Sequence, residues 1–341
     1  MNKYYDYILN RILNNSNYLE KLKDSSILIT GATGLIGSYI CRFLNFLNIK
    51  NNLNIKIYAA ARNENAVKEL NIESINYVKY DMNDDSISLD SKIDYVIHTA
   101  SPTQSAYFVS NPVETINIAI KSLNTVLSFF KDKNVKGMVF LSSMEVYGIC
   151  TKDIMLNEND YYPIDINNVR NSYSEGKRIL ECLACSYNKE YDVPVKIVRL
   201  CQTFGPGIKE NDNRVFAQFA KKAANKEDII LNSKGDTKRS YCSIPDCING
   251  IFYVLLNGQS GESYNLASDD SYIDILTLCK YFSEFSGVKH IIDIPKTNNN
   301  IYLPTIRFGL STDKIKELGY KSVMTVKESS ELLYKSIIEN K

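Results

Sequence analysis

Tyr173 and Lys177 stand four residues apart in the run Tyr-Ser-Glu-Gly-Lys, a spacing that puts both on one face of a helix, one turn apart. An ammonium beside a phenol stabilises the phenolate and draws a tyrosine pKa down from about 10. A tyrosine tuned this way takes a proton from an alcohol while hydride leaves the adjacent carbon for an acceptor ring. Ser143 lies thirty positions earlier, in Ser142-Ser-Met-Glu-Val-Tyr-Gly148. It follows the apolar run 138–141, so it falls at a strand end, placed to hydrogen-bond the same oxygen and hold its geometry. Glu145, in the same run, suits the work of acid, base or water holder. A carboxylate bonding backbone N–H groups is the plainer alternative.

Hydride transfer needs an acceptor, and a second motif makes room for one. Thr30-Gly-Ala-Thr-Gly-Leu-Ile-Gly37 follows a short apolar run and opens a helical stretch over 35–48. Gly31, Gly34 and Gly37 serve a tight turn, close approach of backbone N–H groups to a pyrophosphate, and tight helix–strand packing. Thr33, Leu35 and Ile36 complete this candidate cofactor loop, which gains weight from its place between strand and helix. The second strand, 55–61, ends Ala59-Ala-Ala-Arg62-Asn63, with no acid until Glu64. An acid there would hold the ribose hydroxyls of NAD, whereas Arg62 accepts the extra phosphate of NADP. The sequence therefore favours NADP(H) over NAD(H), a solvated surface arginine being the alternative. Asp81 and Met82 follow the third strand, placed to meet the adenine. His98-Thr-Ala-Ser ends the fourth, setting Ala100 beside the cofactor and His98 in a structural position.

The elements that must position these groups alternate. Apolar runs at 26–30, 55–61, 76–80, 93–99, 138–142 and 195–200 read as strands, several of them buried on both faces. Helical patterns fill the intervals, notably 113–133 and 173–191. Such alternation predicts an α/β fold, a doubly wound parallel sheet with helices on both faces. Beyond residue 206 the rhythm changes to helices at 214–225, 246–256, 271–286 and 325–340 with short strands between. The reading is a dinucleotide-binding domain over 25–206, with 237–262 packing back on it, and a smaller α/β substrate domain over 207–341. Residues 1–24 form a helical prelude: Tyr5, Ile8, Leu9, Ile12 and Leu13 make one apolar stripe, expected to pack on the main body.

Seven segments carry a family resemblance: GATGLIG, HTASP (98–102), SSMEVYG, YSEGK, RLCQTFGPG (199–207), DNRVFAQF (212–219) and TKRSYCSIPD (237–246). In this order the chain resembles the extended short-chain dehydrogenase/reductases, the Rossmann-type nucleotide-sugar epimerases, dehydratases and decarboxylases, over about residues 25–340. It is most similar to the UDP-glucuronate decarboxylases. The resemblance implies a nucleoside diphosphate sugar as substrate and hydride transfer at carbon 4, with epimerisation, ketosugar reduction or decarboxylation as the outcome. It places Arg239 near a substrate carboxylate or diphosphate, and Arg214 and Arg307 on the diphosphate, where an arginine fork suits phosphate oxygens. Gln104, on the loop after the fourth strand, faces the sugar on the same reading. The chain departs from the pattern at four places. Met144 cannot supply the proton by which 4,6-dehydratases expel a hydroxyl. Gln202 stands where relatives usually have Asn, Gly207 where the decarboxylases have Arg, and Ala119 where many have Asn. Relatives dimerise through two helices per subunit, here 113–133 and 173–191, and a role in surface polysaccharide is plausible for such an enzyme. A non-catalytic dinucleotide-binding regulator is the alternative of another class. Such proteins usually lose Tyr or Lys from the pair retained here.

Composition narrows the rest. The 341 residues are 44% hydrophobic and 23% charged, ordinary for a globular chain. Forty basic against 39 acidic residues leave +1, no footprint for nucleic acid or an anionic membrane. The N-terminus has no signal-peptide pattern, and no apolar run approaches the roughly 18 residues of a span, so a soluble cytoplasmic protein is expected. The eight cysteines are scattered and the chain has two histidines, so free thiols are expected and no metal site.

Overall fold

The computed structural model describes residues 3–102, 105–294 and 307–339. Its centre is a seven-stranded parallel sheet. The spatial order is Ser263–Leu266, Val195–Leu200, Gly137–Ser143, Tyr95–His98, Ser26–Thr30, Lys56–Ala61 and Ile75–Lys79. The inner strands are buried along their whole length, because helices cover both faces and leave no solvated side to alternate toward. The strand order reverses beside Ser26–Thr30: the chain builds outward to Ile75–Lys79, then restarts on the other side at Tyr95–His98. A crevice opens at the carboxyl ends of the strands at such a point. It receives the loop 31–34 from one strand and Thr99–Ala100 from the next.

The predicted helices are present with shifted ends. Ile244–Asn257 starts two residues before the expected 246, because Ser243 caps it, its hydroxyl accepting the Asp246 N–H, and Pro245 occupies the first turn. The expected helix 271–286 begins only at Ile275. Ile273–Asp274 is instead a strand pairing with Lys238–Arg239, and the Asp274 carboxylate caps the helix by accepting the Thr277 N–H at 2.6 Å. A second sheet orders Ile273–Asp274, Lys238–Arg239, Arg307–Leu310 and Ile154–Leu156. Helices Val215–Ala224, Ile275–Ser286 and Val326–Glu339 pack together around Phe204, Phe216, Leu278 and Phe282.

The N-terminal segment forms helix Lys3–Leu13 and a short turn of helix at Leu19–Leu22. Ile8, Leu9, Ile12, Tyr18 and Leu22 are buried in the core beside helix Ile244–Asn257. The Tyr18 hydroxyl donates to Asn249 Oδ1 at 3.0 Å, and the Arg11 guanidinium donates to the Val323 carbonyl. This segment is a packed part of the body, as its stripe predicts.

Candidate active site

The glycine loop has the shape its spacing demands. Gly31 sits at φ +68°, where a side chain is strained, and a Cβ there would lie 2.8 Å from Thr99 Oγ1 and 2.9 Å from Ala100 N. A Cβ on Gly37 would collide with the Gly31 carbonyl, so the helix can lie this close to the turn only with glycine there. Gly34 precedes helix Leu35–Asn51, and the N–H groups of its first turn, Leu35 to Gly37, point out of the helix end without partners in it. A cradle closed by three glycines and lined by unpaired N–H groups fits a dinucleotide pyrophosphate.

Arg62 lies at the end of its strand, with a side chain 76% exposed, and its Nε is 3.8 Å from Asp81 Oδ2. Asp81 is bound into a turn, accepting the Asn83 N–H at 2.9 Å. The two residues thus share one rim of the crevice, Met82 beside them and half-buried. Ala100 contributes its backbone to the opposite wall, against Gly31. His98 is buried, with Nδ1 2.8 Å from Thr30 Oγ1 and Nε2 3.4 Å from Ser122 Oγ. Burial, helped by the charge of Lys177, draws its pKa down to about 3, so it stays neutral as a structural residue.

Tyr173 and Lys177 lie on helix Ser172–Tyr191, and Ser143 ends the strand beside it. Ser143 Oγ accepts the Glu145 N–H at 3.2 Å and lies close enough to the Tyr173 phenol to lower its pKa. Phe108 stacks on the Tyr173 ring, centroids 4.3 Å apart and 10° from parallel. Lys177 is buried. Its Nζ donates to the Leu141 carbonyl at 2.8 Å and lies 5.8 Å from the Tyr173 ring centroid. Burial draws the Lys177 pKa down to about 8, against the opposing pull of Glu181. Here the structure departs from an expectation: the Tyr173 pKa is raised, not lowered. Burial and then the charge of Glu145 push the phenol above its ordinary 10, while Ser143, Arg170 and Arg214 pull it back. A bound oxidised nicotinamide would supply the hydride acceptor and a positive charge; this chain supplies the phenol, the serine beside it and the buried ammonium behind them.

Glu145 is held by partners the sequence did not reveal. Arg170 Nη1 and Nη2 each donate to one of its oxygens at 3.1 Å, and Ser174 Oγ donates at 2.9 Å. Arg170 sits three residues before Tyr173 on an irregular stretch without periodicity. The only hint was that a carboxylate at a strand end wants a cation. Beside this fork opens a cleft of about 300 Å³, lined among others by Ser143, Met144, Glu145, Gln202, Arg239 and Phe308.

The three arginines assigned to the diphosphate do not share one environment. Arg239 lines the cleft, and its Nε is buried without a hydrogen-bond partner among the described residues. Arg214 is forked onto Asp212, Nη2 to Oδ2 at 2.6 Å, and lies over the Phe216 ring. Burial would raise the Asp212 pKa, but the Arg214 contacts outweigh it and hold the carboxyl below its ordinary value. Arg307 pairs with Asp236 at 3.0 Å. In the sheet it is opposite Lys238, while Arg239 is opposite Phe308. Alternation therefore sends Arg307 to the face away from the cleft. Gln202 lines the cleft, and Gln104 lies outside the described residues.

Comparison with known proteins agrees with this geometry. The family model for the NAD dependent epimerase/dehydratase family matches residues 27–267. UDP-glucuronic acid decarboxylase 6 of Arabidopsis thaliana is 27% identical over 252 residues, 73% of this chain and 71% of that one. The crystal structure of UDP-glucose 4-epimerase with UDP-glucose from Thermotoga maritima superposes with a TM-score of 0.77 at 19% identity, covering 92% of this chain and 99% of that one. UDP-glucuronic acid 4-epimerase from Bacillus cereus, in complex with UDP-glucuronic acid and NAD, gives 0.75 at 19% identity over 93% and 100%. Among the described residues no helix is long and apolar enough to cross a membrane. The glycine cradle, the Ser143–Tyr173–Lys177 group and the family match together identify the chain as a member of the NAD dependent epimerase/dehydratase family.

Proposed function

We propose that the protein oxidises or reduces carbon 4 of a nucleoside diphosphate sugar, as an epimerase or ketosugar reductase, with Tyr173 exchanging the hydroxyl proton and nicotinamide the hydride. The observation that carries this is the convergence of Ser143 and Tyr173 beside a cleft lined by Arg239, whose guanidinium Nε is buried without a hydrogen-bond partner among the described residues. A phosphate or carboxylate completes such a group. Decarboxylation of a glucuronate-type sugar is the second reading. It is favoured by Glu145, anchored by Arg170 at the cleft, and by the names of relatives such as the Arabidopsis decarboxylase. Met144 offers no proton at the position where a 4,6-dehydratase needs one. The reading includes a homodimer through helices Pro112–Phe130 and Ser172–Tyr191, which pack on each other and leave Ile179 exposed.

The test is mass spectrometry of small molecules released on denaturing the purified protein, followed by turnover of UDP-sugars. Stoichiometric oxidised dinucleotide means an internal redox cycle, as in an epimerase or decarboxylase. An empty protein that consumes NADPH means a reductase. Failure to bind any dinucleotide or nucleoside diphosphate refutes the proposal.

We further propose NADP(H) over NAD(H), supported by the exposed Arg62 at the rim. Arg62→Ser should weaken NADP⁺ binding by about tenfold, the worth of one charge-assisted contact of about 1.5 kcal/mol, and leave NAD⁺ nearly unchanged. Equal loss for both dinucleotides, read by calorimetry, would show that Arg62 does not discriminate.

A further inference from the structure

Gly207 stands at φ +91°, on the segment that runs from the sugar cleft to the phosphate helix. A Cβ on it would lie 3.1 Å from the Tyr5 hydroxyl, 3.7 Å from Leu35 Cδ1 and 4.0 Å from Tyr39 Cε2. Tyr5 belongs to helix Lys3–Leu13, outside the residues that the family model matches. Leu35 and Tyr39 belong to the first turns of the helix whose N-terminus is the pyrophosphate cradle.

Two contacts fix Tyr5 in this place. Its ring packs on Tyr39 with centroids 5.0 Å apart. The Arg42 guanidinium lies 4.6 Å from its ring centroid. The Tyr39 hydroxyl donates to the Pro206 carbonyl at 3.0 Å, tying the segment down beside it. The far end of the same helix is held independently, Arg11 donating to the Val323 carbonyl. Among the described residues the Tyr5 hydroxyl makes no hydrogen bond, so its work here is contact: it packs against the place a Gly207 Cβ would occupy, beside Leu35.

The segment it braces touches both ligands' places. Cys201 and Gln202 line the sugar cleft, while Pro206 and Gly207 rest on the phosphate helix. We propose that Tyr5 is a positioning residue of the cofactor site: wedged against Gly207, it seats the 205–207 segment on the first turn of helix Leu35–Asn51 and so fixes the cradle. This rests on the dinucleotide reading above.

The test is calorimetric titration of the full-length protein with NAD⁺ and NADP⁺. Tyr5→Phe should weaken the preferred dinucleotide by about three- to tenfold with an unchanged melting temperature, and Tyr5→Ala should weaken it further; contacting groups couple at this scale. Gly207→Ala carries backbone strain in any background, so the decisive comparison is a double-mutant cycle. Its loss of affinity should be smaller in Tyr5→Phe than beside the native tyrosine, because the added methyl then no longer meets the hydroxyl. Unchanged affinity in Tyr5→Phe together with an additive cycle would overturn the proposal, even if Tyr5→Ala lowers the melting temperature. Wild-type protein that binds neither dinucleotide would instead overturn the functional reading on which it stands.

Discussion

Tyr173→Phe should lower kcat by about 10³-fold while leaving dinucleotide and sugar-nucleotide binding within a factor of about two, the usual worth of a positioned acid–base group being 10²–10⁴. The substitution removes one oxygen and keeps the ring, so the parallel stack on Phe108 survives and the fold has no reason to change. What disappears is the phenol oxygen beside Ser143 that exchanges the proton. Because burial and Glu145 hold this phenol above its ordinary pKa, the chain by itself leaves it protonated at neutral pH. Rapid-mixing measurement of the first hydride transfer, with binding followed separately, checks the prediction. Retention of a tenth or more of the turnover would move the proton to another group, Glu145 being nearest to hand.

Arg239→Met should reduce kcat/KM for the sugar nucleotide by about 10²-fold, since each hydrogen bond to a charged group contributes about 1.5–3 kcal/mol and a guanidinium makes two at once. The same change should leave the melting temperature unchanged or raise it. A guanidinium nitrogen buried without a partner costs stability in the folded protein, and an apolar side chain of similar length removes that cost. Loss of function with no loss of stability is the signature of a group kept for a ligand. A parallel fall in both, measured by kinetics and thermal melting, would assign Arg239 to the fold. Arg307→Met is the natural contrast: tied to Asp236 and turned from the cleft, it should change kcat/KM far less.

Much of this was legible in the residues because the fold is built from short-range rules. Strands buried on both faces write themselves as apolar runs, and a phosphate-binding turn must be glycine wherever a Cβ would meet backbone, as at Gly31 and Gly37. Tyr173 and Lys177 share a helix face by spacing alone. What stayed hidden was decided by contacts distant in sequence. The fork from Arg170 to Glu145 spans 25 residues and follows no period. Which of Arg214, Arg239 and Arg307 is left without a carboxylate partner among the described residues depends on Asp212 and Asp236, and on a sheet register no pattern announces. The direction of the Tyr173 shift stayed hidden for the same reason: a four-residue spacing fixes direction along a helix, but burial and the charge of Glu145 raise the phenol pKa.

The bond from Arg11 to the Val323 carbonyl spans 312 positions, and that sets an order of events as the chain is made. Helix Lys3–Leu13 is synthesised well before Val323, so one of its anchors follows it by 312 positions. Until then Ile8, Leu9 and Ile12, all fully buried in the finished protein, have only a partial surface to cover them. At about 5–20 residues per second the wait lasts some tens of seconds, a window in which an uncovered apolar stripe invites chaperones or self-association. The segment proposed to brace the cofactor site is thus secured only after a stretch of chain 312 positions downstream has been made.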